Sequence, residues 1–170
     1  GPTIDVHWGG KDLIYPHHEC EAMIAKALTG HPFVRYWMHN DFVLLKGEKM
    51  SKSTGKTVLI RDFLRRHSPE ALRVLILSKH YREIVEYDEG AIKAAEERYR
   101  MLREAALLAE SSRGEEMSSC VKEYSGLFFG ALEDDLETGQ ALAVLERLTL
   151  EILSGSKNSY AGAARLYDAT

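Results

Sequence analysis

The character of the sequence changes near Arg61, and this change constrains the fold more than any other feature. Residues 4–8 alternate β-branched and polar side chains ahead of a glycine pair, as a strand that ends in a tight turn does. Residues 17–29 are good helix formers up to Gly30, and residues 33–46 are rich in aromatic and β-branched types. We therefore predict a strand, a loop, a helix and further extended structure in this part of the chain.

Beyond Arg61 the sequence becomes helical, and we expect no further extended structure. Ser68 can cap one helix, and Asp88 can cap a long one. Two more amphipathic helices are predicted at about 119–134 and 138–154. In the long helix the apolar positions that follow a three-and-four spacing predict one buried stripe: Ile92, Ala95, Tyr99, Leu102, Ala106 and Leu108.

Composition excludes several classes of protein. The chain has 170 residues, of which 45% are hydrophobic, enough for a buried core. No stretch approaches the roughly 20 apolar residues of a membrane span. Cys20 and Cys120 lie too far apart in the sequence to indicate a disulfide framework, so we expect a cytoplasmic protein. The chain opens with Gly1-Pro2 instead of Met, and we expect it to be part of a longer protein.

Charge is segregated along the chain. The net charge is −4, yet residues 46–82 hold ten basic and three acidic side chains. Such a block attracts phosphates, so an anionic ligand is expected to dock there. The alternative is an ordinary solvated helix face.

A short run at residues 49–53 carries the clearest chemistry. Lys49-Met50-Ser51-Lys52-Ser53 places two cations among small hydroxyl residues, in a segment that we expect to be an exposed, mobile loop. Two ammonium groups on such a loop can close over a triphosphate and neutralise the charge that develops during attack at phosphorus. Two lysines alone would also fit an ordinary basic loop.

The whole pentapeptide resembles the signature loop of class I aminoacyl-tRNA synthetases. Its flanks are similar to the cysteinyl-tRNA synthetase family in four stretches: Gly9 to Glu19, Tyr36 to Asn40, Gly47-Glu48, and Arg61 to Leu64. The likeness continues through Ser68 to Arg73, His80 to Arg82, and Phe129 to Leu148, so it covers nearly the whole chain.

The resemblance implies an ATP-dependent reaction that uses Mg²⁺. In this family Lys52 would contact ATP, and Lys49 would shape and charge the closed loop, so both are candidate catalytic residues. Gly9, Gly10 and Asp12 would bind the nucleoside at the end of a strand, where glycine allows close approach and a carboxylate accepts from ribose hydroxyls. The implied reaction joins cysteine to ATP as cysteinyl-adenylate and then transfers it to tRNA(Cys).

The resemblance also makes His17 and Glu21 two of four zinc ligands. The two are four residues apart on a predicted helix and so project from one face, although a plain surface pair would have the same spacing. Zinc favours thiolate sulfur, so it could bind the thiolate of the substrate. The two cysteine ligands of the family and its HIGH tetrapeptide are absent from these residues. Cys20 could substitute, but we expect a buried or half-buried thiol.

Two further residues at the first strand have open roles. Trp8 stands where the family more often has Gly, so it either crowds the nucleoside pocket or packs at the strand end. His7 either faces the substrate pocket or is a hydrogen-bonded core histidine.

The resemblance implies an α/β remnant of a Rossmann-like class I catalytic domain, followed by a mainly α-helical bundle with stem-contact and DALR-like tRNA-binding regions. We expect residues 1–60 to end the catalytic domain, 61–86 to form connecting helices and 87–170 to form the bundle. Alone the chain should be inactive, because catalysis requires the complete site. The alternatives are a ligase that joins cysteine to glucosaminyl-inositol in mycothiol synthesis and a non-catalytic RNA-binding paralogue.

Overall fold

The computed structural model describes residues 2–45, 47–49, 57–112, 116–155 and 160–168. The chain begins with strand β1 (Ile4–Gly10), helix α1 (Glu19–Thr29) and strand β2 (Val34–Asn40). Strands β1 and β2 are parallel, in a register that runs from Ile4 opposite Val34 to Gly10 opposite Asn40. We call residues 4–40 the βαβ unit. Its predicted elements are confirmed, with β1 two residues longer than expected.

Local sequence explains how the βαβ unit turns. The chain leaves β1 in a short helical turn, Lys11–Leu13, and a second turn, Ile14–His18, leads directly into α1. Helix α1 ends at Gly30, whose φ of 72° lies in the left-handed region that glycine adopts without steric cost. These turns bring the carboxyl ends of β1 and β2 together at one edge of the sheet.

A second, small sheet contains a strand that sequence reasoning missed. Strand β3 (Val43–Leu45) pairs antiparallel with β4 (Glu48–Lys49) and parallel with β5 (Val85–Tyr87). The expectation that extended structure ends at Arg61 was therefore wrong. Strand β5 has three residues, and its partner lies some forty positions earlier, so no local pattern marks it.

The helices follow the predicted caps closely. They are α2 (Ile60–Phe63), α3 (Pro69–Leu77), α4 (Glu89–Ala109), α5 (Ser119–Glu133), α6 (Thr138–Leu153) and α7 (Ala164–Tyr167). The Ser68 side chain accepts a hydrogen bond from the Ala71 amide, and the Asp88 side chain accepts one from the Ala91 amide. Each bond satisfies an amide that the first turn of a helix leaves unpaired.

The helices build two hydrophobic clusters, which share the long helix α4. One cluster joins α2, α3, β5 and the start of α4, around Phe63 and Ile92. The other joins the end of α4 to α5, α6 and α7, around Leu145 and Leu148. The predicted stripe on α4 holds except at its end, where Leu108 is 55% exposed and Ala105 and Ala109 are buried instead. Leu108 follows Ala106 by only two positions, which turns it about 200° away from the stripe.

The βαβ unit has far less buried surface. Among the described residues up to Leu45, only Val34 and His18 are buried. Large apolar side chains are at least half exposed on its strands and helix: Val6, Trp8, Tyr36, Met23, Ile24 and Leu28. In the part of the chain that the structure describes, no helix is long and apolar enough to cross a membrane.

Candidate active site at the carboxyl ends of strands β1 and β2

Five imidazole and carboxylate side chains meet at one corner of the βαβ unit, which we call the histidine corner. Strand β1 contributes His7, the turn before α1 contributes His17 and His18, α1 contributes Glu21 and β2 contributes His39. The ring centroids of His7 and His18 lie 4.7 Å apart, edge to face, and those of His18 and His39 lie 5.1 Å apart. Parallel pairing of two strands thus collects residues that lie far apart in the sequence.

His18 is the buried centre of this corner. It is 4% exposed, and its Nδ1 lies 2.9 Å from Nε2 of His39, so the two rings share one hydrogen bond. Burial, followed by the neighbouring imidazoles of His7 and His39, lowers the pKa of His18 below its usual value of 6.5. His18 is therefore neutral near pH 7, the form in which imidazole binds metals.

Glu21 contacts two imidazoles of the histidine corner. Its Oε2 is 3.4 Å from Nε2 of His7, and its Oε1 is 3.4 Å from Nε2 of His17. Oε2 is buried and accepts no hydrogen bond from any residue that the structure describes. A buried carboxylate oxygen without a hydrogen bond is costly, so this atom indicates a position for a cation.

The donor set of the histidine corner fits a metal ion. Ligand atoms of His7, His18 and Glu21 all lie within 4.8 Å of one another. Imidazole nitrogen and carboxylate oxygen are both zinc ligands. Of the predicted pair, Glu21 belongs to this group of three, and His17 contacts the same carboxylate from a side chain that is 61% exposed. His17 and Glu21 as metal ligands stay a prediction, and the structure adds His7 and His18 as candidates.

Cys20 does not behave as expected. Its thiol is exposed, so the expectation of a buried or half-buried cysteine was wrong. Helix α1 packs on the sheet through few residues, and it has no buried residue along its length. A thiol on this helix therefore faces solvent.

The glycine pair at the end of β1 lies in close contact with neighbouring side chains. A Cβ on Gly9 would lie 2.7 Å from Cε1 of His18, and a Cβ on Gly10 would lie 2.6 Å from Oδ1 of Asp12. Gly9 therefore lets the His18 ring lie directly on the strand. Asp12 lies in the turn that follows, at the same edge of the sheet. The roles of Gly9, Gly10 and Asp12 in nucleotide binding remain predictions.

A cavity of about 440 Å³ opens beside the histidine corner. It is lined by Lys11, Ile14, Trp37, His39, Asp41 and Arg82. Lys11 forms an ion pair with Asp41. The hydrogen bond from Lys11, and then the one from the Phe42 amide, lowers the pKa of Asp41. The cavity is thus lined by two cationic side chains together with the His39 imidazole and the Trp37 ring.

Trp8 lies near the carboxyl end of β1, where it contacts Asn40 and Tyr81. Its Nε1 donates to Oδ1 of Asn40 over 3.0 Å, and its ring meets Tyr81 edge to face with centroids 5.5 Å apart. Trp8 is nevertheless 51% exposed. These contacts show Trp8 packed at the strand end, which is one of the two roles that the sequence left open.

Of the two lysines of the predicted loop, only the backbone of Lys49 is among the described residues. The backbone of Lys49 belongs to β4 and pairs with Leu44 of β3, a strand that begins three residues after β2 ends. Lys52 and the loop around it lie outside the described residues. The catalytic roles of Lys49 and Lys52 therefore stay predictions.

The fold is that of class I aminoacyl-tRNA synthetases. A leucyl-tRNA synthetase from Agrobacterium radiobacter K84, solved with tRNA and LeuAMS, superposes over 98% of this chain and 25% of its own length, with a TM-score of 0.72 and 17% identity. The Mycobacterium tuberculosis methionyl-tRNA synthetase superposes over 96% of this chain and 38% of its own, with a TM-score of 0.58 and 18% identity. At these identities the likeness concerns the fold.

Sequence similarity gives the family. Residues 1–97 match the model of the class I (C) tRNA synthetase catalytic domain, so the chain belongs to this family. Cysteine–tRNA ligase of Pseudothermotoga lettingae is 41% identical over 87% of this chain, and that of Thermococcus onnurineus is 43% identical over 86%. The family predicted from the motifs is confirmed. The chain spans about a third of the length of these curated relatives.

Proposed function

We propose that the chain is the carboxy-terminal part of a cysteine–tRNA ligase, which activates cysteine with ATP as cysteinyl-adenylate and transfers it to tRNA(Cys). The observation that supports this best is the histidine corner, where Glu21 has a buried oxygen without a hydrogen bond beside His7 and His18. It occurs in a chain about 40% identical to cysteine–tRNA ligases over most of its length.

In this proposal the histidine corner recognises the amino acid. His17 and Glu21 would hold zinc, together with two cysteines from outside this chain, while His7 and His18 would complete or support the donor set. Zinc in that position would supply a soft ligand site that favours a thiolate over the hydroxyl of serine. His39 orients His18 through their shared hydrogen bond, as groups behind a metal ligand commonly do.

The nucleotide would bind along the same edge of the sheet. Gly9, Gly10 and Asp12 would meet the nucleoside, and Lys49 and Lys52 would close over the phosphates with Mg²⁺ to balance the charge. The reaction expected there is attack of the cysteine carboxylate on the α-phosphate, with release of pyrophosphate. The helical region would then contact the tRNA, and its assignment as stem-contact and DALR-like is part of the proposal.

Cysteine-dependent exchange of pyrophosphate into ATP tests the proposal. We expect the full-length ligase to catalyse exchange with cysteine and not with serine, and the 170-residue chain alone to show none. Measurable exchange by the chain alone would refute the need for the missing part. Absence of exchange by the full-length protein would refute the ligase assignment, and transfer of cysteine to glucosaminyl-inositol in place of tRNA(Cys) would redirect it.

A further inference from the structure

The turn between α5 and α6 has a strained backbone. Asp135 and Leu136 are consecutive non-glycine residues with φ of 50° and 59°. The left-handed region is sterically unfavourable for side chains other than Asn and Asp, and a Leu there is a true exception. Such strain persists only where the surroundings fix it, and it occurs often at functional positions.

Contacts with the segment after α3 hold this turn in place. The Tyr81 hydroxyl donates to Oδ1 of Asp135 over 2.8 Å, and Nη2 of Arg82 lies 2.9 Å from Oδ2 of the same carboxylate. Nε2 of His80 lies 2.9 Å from the Asp135 carbonyl oxygen. A Cβ on Gly139 would lie 3.0 Å from the Ser78 carbonyl oxygen, so the helix itself approaches closely.

The same segment forms one wall of the cavity beside the histidine corner. Arg82 lines the cavity, and its Nε donates to the Tyr81 hydroxyl over 2.9 Å. The Tyr81 ring contacts Trp8, and its carbonyl oxygen accepts from the Asp41 amide over 2.8 Å. Asp135, Tyr81 and Arg82 therefore form a closed triangle of hydrogen bonds, one corner of which faces the cavity.

We propose that Asp135 is a positioning residue: it holds Arg82 at the cavity that Lys11 also lines, so that the guanidinium can bind a phosphate-bearing ligand. Through this contact the turn of the helical bundle is coupled to the site on the βαβ unit. The inference rests on the proposed function for its ligand, ATP, and on the contacts alone for the coupling. An exposed ion pair contributes little to the free energy of folding. If Asp135 only stabilised the fold, its substitution would therefore leave the KM for ATP unchanged.

Asp135→Asn is the sharpest variant. Asparagine tolerates the left-handed backbone and can still accept from Tyr81, so the change removes the charge that holds Arg82 and little else. In the full-length ligase we expect the KM for ATP in the exchange reaction to rise about fivefold to tenfold, with kcat altered less than about twofold. Asp134→Asn, one position earlier and exposed, is the matched control and should change neither constant.

A double-variant cycle tests whether Asp135 acts through Arg82. Arg82→Gln should raise the KM for ATP, and adding Asp135→Asn should raise it no further. The proposal would be overturned if the increases in KM caused by the two substitutions multiplied in the double variant. It would also be overturned if Asp135→Asn had the same KM for ATP as Asp134→Asn.

Side-chain NMR of the 170-residue chain tests the positioning of Arg82 independently of the proposed ligase activity. Asp135→Asn should shift the side-chain NMR signals of Arg82 Nε–H and Trp8 Nε1–H, and Asp134→Asn should leave both in place. If the full-length protein shows no exchange at all, the proposed function fails and these signals decide whether Asp135 positions Arg82. Unmoved signals in Asp135→Asn would refute the positioning.

Discussion

The helical part of the molecule and the βαβ unit differ in what holds them together. Every buried hydrophobic residue that the structure describes, except Val34, belongs to residues 63–166, where helices enclose two clusters. The βαβ unit instead buries a histidine and exposes large apolar side chains. Stability thus comes mainly from the helices, and the groups suited to chemistry gather where packing is sparse.

The exposed faces of the βαβ unit follow from its topology. Parallel strands are normally covered on both faces, and a two-stranded parallel sheet with one helix leaves one face open. Relatives of this chain are about three times as long, so they have residues that could cover such a face. We expect the βαβ unit to gain stability from those residues and the helical part to depend on them little.

The largest expected effect is in the helical core. Leu148 is fully buried, and Leu148→Ala should lower the free energy of unfolding by about 3–4 kcal/mol, because it removes apolar contacts and leaves a cavity. Leu150, on the same helix and 55% exposed, supplies the control, and Leu150→Ala should cost less than about 1 kcal/mol. Urea unfolding followed by helical circular dichroism measures both. Equal costs would show that Leu148 does not belong to a tightly packed helical core.

A smaller effect is expected at the end of β1. Gly9→Ala places a methyl group against the buried ring of His18 and should destabilise the chain by about 1–3 kcal/mol. Gly126→Ala, in an exposed stretch of α5 with open space around it, should stabilise by about 0.5–1 kcal/mol. Thermal unfolding followed by tryptophan fluorescence reports on the sheet. A Gly9→Ala variant as stable as the parent would show that His18 is not held against the strand.

The smallest expected effect is the pH dependence of His18. Its folded pKa lies below the unfolded value of 6.5, so as the pH falls the unfolded state binds the proton first. The free energy of unfolding should therefore fall as the pH drops below 6.5. For one proton the decrease is at most about 1.4 kcal/mol per pH unit.

Unfolding free energies measured between pH 7.5 and pH 5 test this loss. His18→Gln should reduce the slope, and His31→Gln, at an exposed position, should keep it. A His18→Gln slope equal to that of the parent would assign the acid sensitivity to other groups.

Sequence reasoning succeeds here where structure is local. Each capping residue acts within one helical turn, and the helix ends predicted from Gly30, Ser68 and Asp88 agree with the structure. The strand Val85–Tyr87 was missed because its partner is distant in the sequence.

The same reason explains the incomplete prediction of the site. His17 and Glu21 are four residues apart and could be paired through the family resemblance, whereas His7 and His39 join them only through the pairing of β1 with β2. The alternation of residues 4–8 placed His7 on a strand but did not indicate which face of the sheet it occupies. His18, adjacent to His17, became a candidate only once its burial was known.

A zinc titration of the full-length protein, with its variant Glu21→Gln, tests most directly whether the histidine corner is a metal pocket. We expect one zinc ion to bind, and Glu21→Gln to weaken binding by at least about tenfold, while Glu19→Gln, exposed on the first turn of the same helix, leaves it unchanged. Zinc binding that is equally tight in Glu21→Gln and in the parent protein would contradict the account.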